Sequence, residues 1–202
     1  MVEILEMGGW LMLPIMVCSI LVLGICMERA WTLQKDRIVP SESVDQAIDL
    51  LDNPDEKKMQ TLSKSSYLGW ILSVGLQSYP LGEESMISAI EDTANRVAHD
   101  LERYLTLLGT MASVSPLLGL LGTVFGMIEI FTVLVSRGAG DVGILAGGIS
   151  EALITTAAGI SVAIPAVLFH RHFLRKVEGL ILTLESESNE FLKKIHEAKI
   201  KV

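Results

Sequence analysis

The sequence predicts an all-α membrane protein: three transmembrane helices, long cytoplasmic helical extensions, and assembly into a ring. The first observation is composition. Half of the 202 residues are apolar, and the mean hydropathy is +0.48, high for a soluble chain. The second is clustering. Met7–Met27, Tyr104–Ile128 and Ala152–Phe169 carry no charge, and Val142–Ser150 extends the last run upstream if Glu151 is tolerated. A helix of about 20 mostly apolar residues crosses a bilayer. The third is the gathering of small residues on one face of the second and third runs, which predicts a ring because those faces cannot all be buried within one protomer.

The first span is expected at about 8–28. Its flank "MVEILEM" is acidic, whereas a secretory signal has a basic flank. No small-residue cleavage site stands out after it, so the segment reads as a retained span. Cys18 and Cys26 lie inside it and read as reduced core thiols; no CxxC or metal-like spacing exists. The second and third spans are expected at about 105–135 and 142–169.

Lysine and arginine near the span ends orient the chain. None precedes the first span, and Arg29, Lys35 and Arg37 follow it. Arg96 and Arg103 precede the second, "SRGAGD" links the second to the third, and "HRHFLRK" follows the third. The amino terminus is expected outside and the carboxyl terminus in the cytoplasm, with cytoplasmic segments at 29–104 and 170–202. The net charge of −8 is compatible with this, because acidic residues count little in the rule and crowd into 42–56 and 83–102.

The cytoplasmic segments read as helices. "SESVDQAIDLLDN" has a serine cap and ends at Asn-Pro. "SSYLGWILSVGLQSYP" reads as a short apolar helix ended by Pro80. From Glu83 the chain runs into the second span without Gly or Pro, which predicts one long helix entering the membrane. The charged, periodic stretch after the third span predicts a helix that projects with it as a hairpin. Its loss is expected to spare insertion and weaken the oligomer.

The third span divides sharply. With Glu151 at 0° and 100° per residue, Gly147, Gly148, Thr155, Ala158, Gly159, Val162 and Ala166 fall within about 60°. Ala152, Ala163 and Thr156 extend that face to about 140°. Ile149, Leu153, Ile160, Ile164, Val167 and Leu168 lie opposite. The second span repeats the division. Ala112, Ser113, Ser115, Pro116, Gly119, Gly122, Thr123 and Gly126 share one side, and Leu117, Leu118, Leu121, Val124, Phe125 and Ile128 the other. Leu120, Met127 and Ile130 break the pattern, and Pro116 is a candidate kink.

The bulky sides suit lipid. Small sides suit helix packing or a lumen, and Gly119, Gly122, Gly126, Gly148 and Gly159 read first as packing residues. Glu151 points further. An intramembrane carboxylate costs a few kcal/mol or more unless neutral, paired or hydrated, so its default reading is functional. The bland alternative is a carboxylate reaching headgroup water, which suits Glu129 better. His170 and His172, beside Arg171, read as interfacial basic residues. With no nucleophile–base pair, phosphate loop or metal cluster in the sequence, we expect no enzyme, cofactor, metal or nucleic-acid partner.

"SPLLGLLGTVFGMIEIF" followed by "GGISEALITTAAGISVAIPAVLFHRHF" resembles the core of the ExbB/TolQ/MotA proton-channel superfamily. "GWLMLPIMVCSILVLGICMERAW", with its Glu28-Arg29 pair, resembles the first span of the ExbB/TolQ branch. Three spans with the amino terminus outside favour that branch over the four-span MotA type. The resemblance implies one proton-channel domain over 1–202 in the bacterial inner membrane, assembled as a homopentamer. It implies an ExbD/TolR-type single-span partner carrying an intramembrane aspartate, and transfer of motion to a TonB- or TolA-type protein. By motif, Thr123 and Thr156 match the pore threonines and Glu151 the third-span carboxylate. Thr155, nearer the Glu151 face, competes with Thr156 for the pore position.

Overall fold

The computed structural model describes residues 9–137 and 142–200. The acidic flank at 1–8 and the link at 138–141 lie outside the described residues. Among the described residues, eight α-helices follow one another: α1 (Met12–Thr32), α2 (Lys35–Ile38), α3 (Ser43–Asp52), α4 (Glu56–Ser65), α5 (Tyr67–Ser78), α6 (Glu83–Leu101), α7 (Leu105–Arg137) and α8 (Val142–Ile200). A 3-10 turn at Tyr79–Leu81 holds Pro80. No strand occurs among the described residues. Three of the helices are long and apolar enough to cross a membrane, and at most a third of each apolar window is buried within the protein. So much uncovered aliphatic surface requires lipid as its solvent.

The chain divides into two compact units, residues 1–28 with 104–172, and 29–103 with 173–202. In the first, α1 buries Met12, Ile15, Cys18, Val22, Ile25 and Cys26, spaced mostly three and four apart, and exposes Leu13, Val17, Ile20 and Leu23. Helix α7 continues through Pro116 without interruption. Its proline lacks an N–H, and in lipid the freed carbonyl must find local compensation.

The second unit is a bundle in which α5 packs on α3, α4 and α6. Ser66 caps α5 by accepting from the Gly69 N–H at 2.9 Å, and Asp55 caps α4 through the Lys57 N–H at 2.9 Å. Helix α4 was not anticipated, because it is polar on most of its surface. The serine cap expected for α3 is replaced by Glu42, which makes no side-chain cap bond.

One expectation needs correction. The long helix from Glu83 into the second span is broken at Glu102–Tyr104, where Tyr104 takes φ +64°. A left-handed non-glycine residue costs about 1–2 kcal/mol, so the context must hold it. Part of that context is Arg29, buried to 4% exposure, whose Nη1 donates to the Leu101 carbonyl at 3.2 Å. A buried guanidinium at the end of α6 suits both the unpaired carbonyls and the helix dipole.

The tail contributes to the core of the second unit. Helix α8 is 59 residues long without interruption. Beyond the membrane, Phe173, Val177, Leu180, Leu184, Phe191 and Ile195 are buried. They match the spacing of Met86, Ile90, Val97 and Leu101 on α6, the pattern of a coiled-coil seam. The seam is antiparallel, with His196 Nδ1 3.5 Å from Glu83 at the start of α6. Lys194 bridges Glu190 at 3.0 Å and Asp45 at 3.4 Å. Glu190 first, then Asp45, holds the Lys194 ammonium above the usual lysine range. A raised lysine pKa contributes below the unfolded value and is lost only as pH rises through the folded one, so this tether persists through neutral pH.

Truncation after Arg175 should therefore do more than loosen an oligomer. It removes the buried side chains of Val177, Leu180, Leu184, Phe191 and Ile195, each contributing about 1.5–3 kcal/mol. Residues 29–103 should become protease-sensitive while the spans stay inserted; a proteolysis pattern like that of the intact chain would contradict the seam.

Candidate functional site

The site grows from one geometric fact. Along α7 and α8, glycine replaces any larger residue wherever the two backbones approach. A Cβ added at Gly119 would stand 3.0 Å from the Thr156 Cα, and one at Gly126 would stand 2.9 Å from the Ala152 Cβ. A Cβ at Gly122 would fall on the Thr155 side chain, and one at Gly159 would meet the Gly119 Cα at 3.0 Å. The register is antiparallel: Gly126 opposite Gly148 and Ala152, Gly122 opposite Thr155, Gly119 opposite Thr156 and Gly159. Nearer the tail, Gly109 faces the His170 ring. Where Gly148 lacks a side chain, Ile130 fills the notch and is 6% exposed. That explains why Ile130 departs from the lipid-facing pattern.

The bulky residues of the third span, from Ile149 and Leu153 to Ile164 and Leu168, all stand exposed. The small sides largely bury each other. Ala112, Ser115, Ala152, Thr155, Ala163 and Ala166 are buried within the single chain. Burial within one chain is nonetheless incomplete, since Ser113 and Gly147 are exposed and Thr123, Thr156 and Ala158 partly so. Absent side chains let the helices close on one another, and only part of the small surface, such as Thr123 and Gly147, remains open.

Each threonine is hydrogen-bonded to backbone. Thr156 Oγ1 donates across the seam to the Gly119 carbonyl at 2.8 Å. Thr155 Oγ1 donates to the Glu151 carbonyl one turn back at 2.7 Å and is 1% exposed. Thr123 Oγ1 donates to the Leu120 carbonyl at 2.6 Å and is partly exposed. With its proton committed, a threonine presents only oxygen lone pairs. Thr123 and Thr156 are partly exposed and can accept from water or from a protonated acid; Thr155 is enclosed. Along α8, Glu151 and Thr156 are five residues, or about 7.5 Å, apart.

Glu151 is partly exposed, and its carboxylate lies against the backbone of Gly9, where a Cβ would overlap it. Gly9 has φ +65°, so glycine suits the position twice over. The residue precedes α1, whose first turn is supported by Met12 N–H donating to the Gly9 carbonyl at 3.1 Å. Trp10 packs edge-on against Phe125 with centroids 5.9 Å apart. Sequence reasoning missed this contact of Gly9 with Glu151, since no local pattern joins residues so distant in the chain. Glu129 is exposed on α7. Among the described residues, no group of His, Cys, Asp or Glu is placed to hold a metal ion.

These features define a polytopic helical membrane protein whose second and third spans close around a hydroxyl-bearing, carboxylate-tipped seam. Residues 63–186 match the model of the MotA/TolQ/ExbB proton channel family, and the chain belongs to that family. It is 33% identical over 192 residues to the putative biopolymer transport protein ExbB-like 1 of Synechocystis, covering 91% of this chain and 71% of that one. It is 30% identical over 165 residues to the biopolymer transport protein exbB1 of Vibrio cholerae, covering 79% and 72%. With the Tol-Pal system protein TolQ of Pseudomonas aeruginosa it shares 36% identity over 113 residues, covering 56% and 49%. The relatives place it in the ExbB/TolQ branch.

Gly122→Ala should force Thr155 aside and separate the helices, lowering stability by roughly 1–3 kcal/mol. Gly24→Ala meets nothing within 4 Å and should be neutral or gain up to about 1 kcal/mol. Thermal unfolding in detergent compares them, and equal effects would contradict the seam.

Proposed function

We propose that this chain is the proton-channel subunit of an inner-membrane motor. With an ExbD/TolR-type single-span partner it converts proton motive force into mechanical work for TonB- or Tol-type energy transduction. In this reading the chain acts as a single domain in a homopentamer, with a periplasmic amino terminus and a cytoplasmic carboxyl terminus. Spans α7 and α8 surround the partner's aspartate-bearing helix. Family membership supports the reading, and one geometric observation carries it: Thr123 on α7 and Thr156 on α8, the span of Glu151, keep hydroxyl lone pairs available in otherwise apolar surroundings.

The chemistry follows from that arrangement. A charge falling through 100 mV yields about 2.3 kcal/mol, useful only if it cannot leak without moving something. An aspartate that must be neutral to pass through lipid-like surroundings can donate a hydrogen bond from its proton to a threonine oxygen. Its ionised form finds no fixed cation in the seam and is returned to water. Glycine and alanine around the hydroxyls let a partner helix come close. Glu151 sits toward the end of the path near Gly9, where it can take a proton from water or give one up.

A second reading has its own support. Buried glycines and a Thr156–Gly119 bond are also what a packing or scaffold subunit of a transport complex would show, with no ion path of its own. The two readings part at Thr123, whose hydrogen bond is confined to α7.

In liposomes containing this chain and its partner, Thr123→Val should leave the melting temperature unchanged. It should lower proton flux roughly ten- to hundredfold, the cost of an acid left without its acceptor. Thr156→Val should lose flux and also about 1 kcal/mol of stability, because it breaks the bond to Gly119. Glu151→Gln should weaken flux, and Leu153→Ala, on the lipid side, should be mild. Full flux in Thr123→Val would favour the scaffold reading.

A further inference from the structure

A cavity of about 310 Å³ opens in the second unit, where α2, the end of α4 and the start of α5 meet. Its walls carry Arg37, Lys64, Ser63, Tyr67 and Trp70. The chain as a whole has 24 acidic against 16 basic residues, yet no carboxylate lines this cavity. Among the described residues neither Arg37 nor Lys64 has an ion-pair partner, and the Tyr67 hydroxyl, the Trp70 indole N–H and the Ser63 hydroxyl have no hydrogen-bond partner. Two other serines at the rim are already engaged: Ser65 donates to the Leu62 carbonyl at 2.7 Å and Ser66 accepts from Gly69. The cavity therefore offers two cations and three unused donors, and nothing that competes for them.

Its place relative to the bilayer follows from chain continuity. Trp31 stands in the last turn of α1, just past the apolar stretch, and is 63% exposed. The Arg37 guanidinium lies 4.8 Å over its ring. Tryptophan and arginine paired this way are characteristic of the headgroup level, the ring in the acyl boundary and the charge in water. The cavity that Arg37 lines is thus tied through Trp31 to the chain that leaves the first apolar run.

We propose that this cavity binds the phosphate of an anionic phospholipid, with Arg37 and Lys64 as its cations and Tyr67, Trp70 and Ser63 as neutral donors. A solvated basic patch would need none of the aromatic lining. A guanidinium held over an indole, by contrast, keeps its edge free for phosphate oxygens. Bound lipid would fix the start of α5 and the exit of α1 to the membrane surface. The proposal does not depend on the proton-channel reading, and its test uses this chain alone.

The test is lipid retention. The intact chain is extracted from nanodiscs of phosphatidylcholine containing a minor share of phosphatidylglycerol, and retained lipid is read by native mass spectrometry. Phosphatidylglycerol should be retained over phosphatidylcholine. Arg37→Gln with Lys64→Gln should lower retention by about tenfold or more, as expected for two basic contacts, and Lys193→Gln on the tail should not. Trp70→Phe, which keeps an aromatic ring and removes the N–H, should reduce retention less. It serves as the readout if the double variant loses helical content by circular dichroism. Equal retention of both lipids, unchanged retention in a folded double variant and in Trp70→Phe, or displacement by excess inorganic phosphate would overturn the proposal.

Discussion

The close approach of α7 and α8 is the constraint on which the rest depends. Lipid provides no hydrophobic force to drive helices together, so contact comes from packing and from hydrogen bonds. Gly119, Gly122 and Gly126 admit the opposing backbone, and a Cβ at any of them would stand 3.0 Å or less from an atom of α8. That proximity brings the Thr156 hydroxyl to the Gly119 carbonyl at 2.8 Å. It also fixes the azimuth of both helices, which decides that the bulky aliphatic residues meet lipid and that Thr123 stays on the partly open side. A single extra methyl group in the seam would disturb all of these at once.

The polar groups of the span then follow a consistent logic. Every one of the three candidate threonines commits its proton to a backbone carbonyl, so none is a buried unpaired donor. What each can still present is an acceptor. Such a lining tolerates a neutral acid and disfavours a permanent charge, as the proposed proton path would require. Glu151 differs, since its carboxyl group rests against the backbone of Gly9. On the membrane-distal side the same helix, α8, changes character. Charged residues face outward and Phe173 to Ile195 supply a buried seam, so one continuous helix serves both as membrane wall and as bundle core.

Much of this was legible in the sequence, and the reasons differ by residue. The spans stood out because a charge-free apolar run of about twenty residues is the length that a bilayer demands and a soluble core seldom accommodates. The lipid-facing side of the third span could be read from Leu153, Ile164 and their neighbours because helical periodicity survives in a membrane. Ile130 was not legible: its burial depends on the notch at Gly148, a tertiary match that periodicity cannot encode. The break at Tyr104 was hidden because no glycine or proline marks it; its left-handed backbone is held by its surroundings. The helix Glu56–Ser65 was overlooked for want of a continuous apolar stripe, although Asp55 is a good cap. Which small residues of α7 and α8 meet each other was also hidden, because counting small residues does not reveal their pairing.

The central claim is that protons pass by way of a partner's ionisable acid against threonine oxygens of this chain. The most direct measurement is proton uptake into liposomes under an imposed potential, for this chain alone, with the proposed single-span partner, and with the aspartate of that proposed partner changed to asparagine. The account predicts flux only where the ionisable partner is present. Equal flux from this chain alone, or with the asparagine partner, would contradict it.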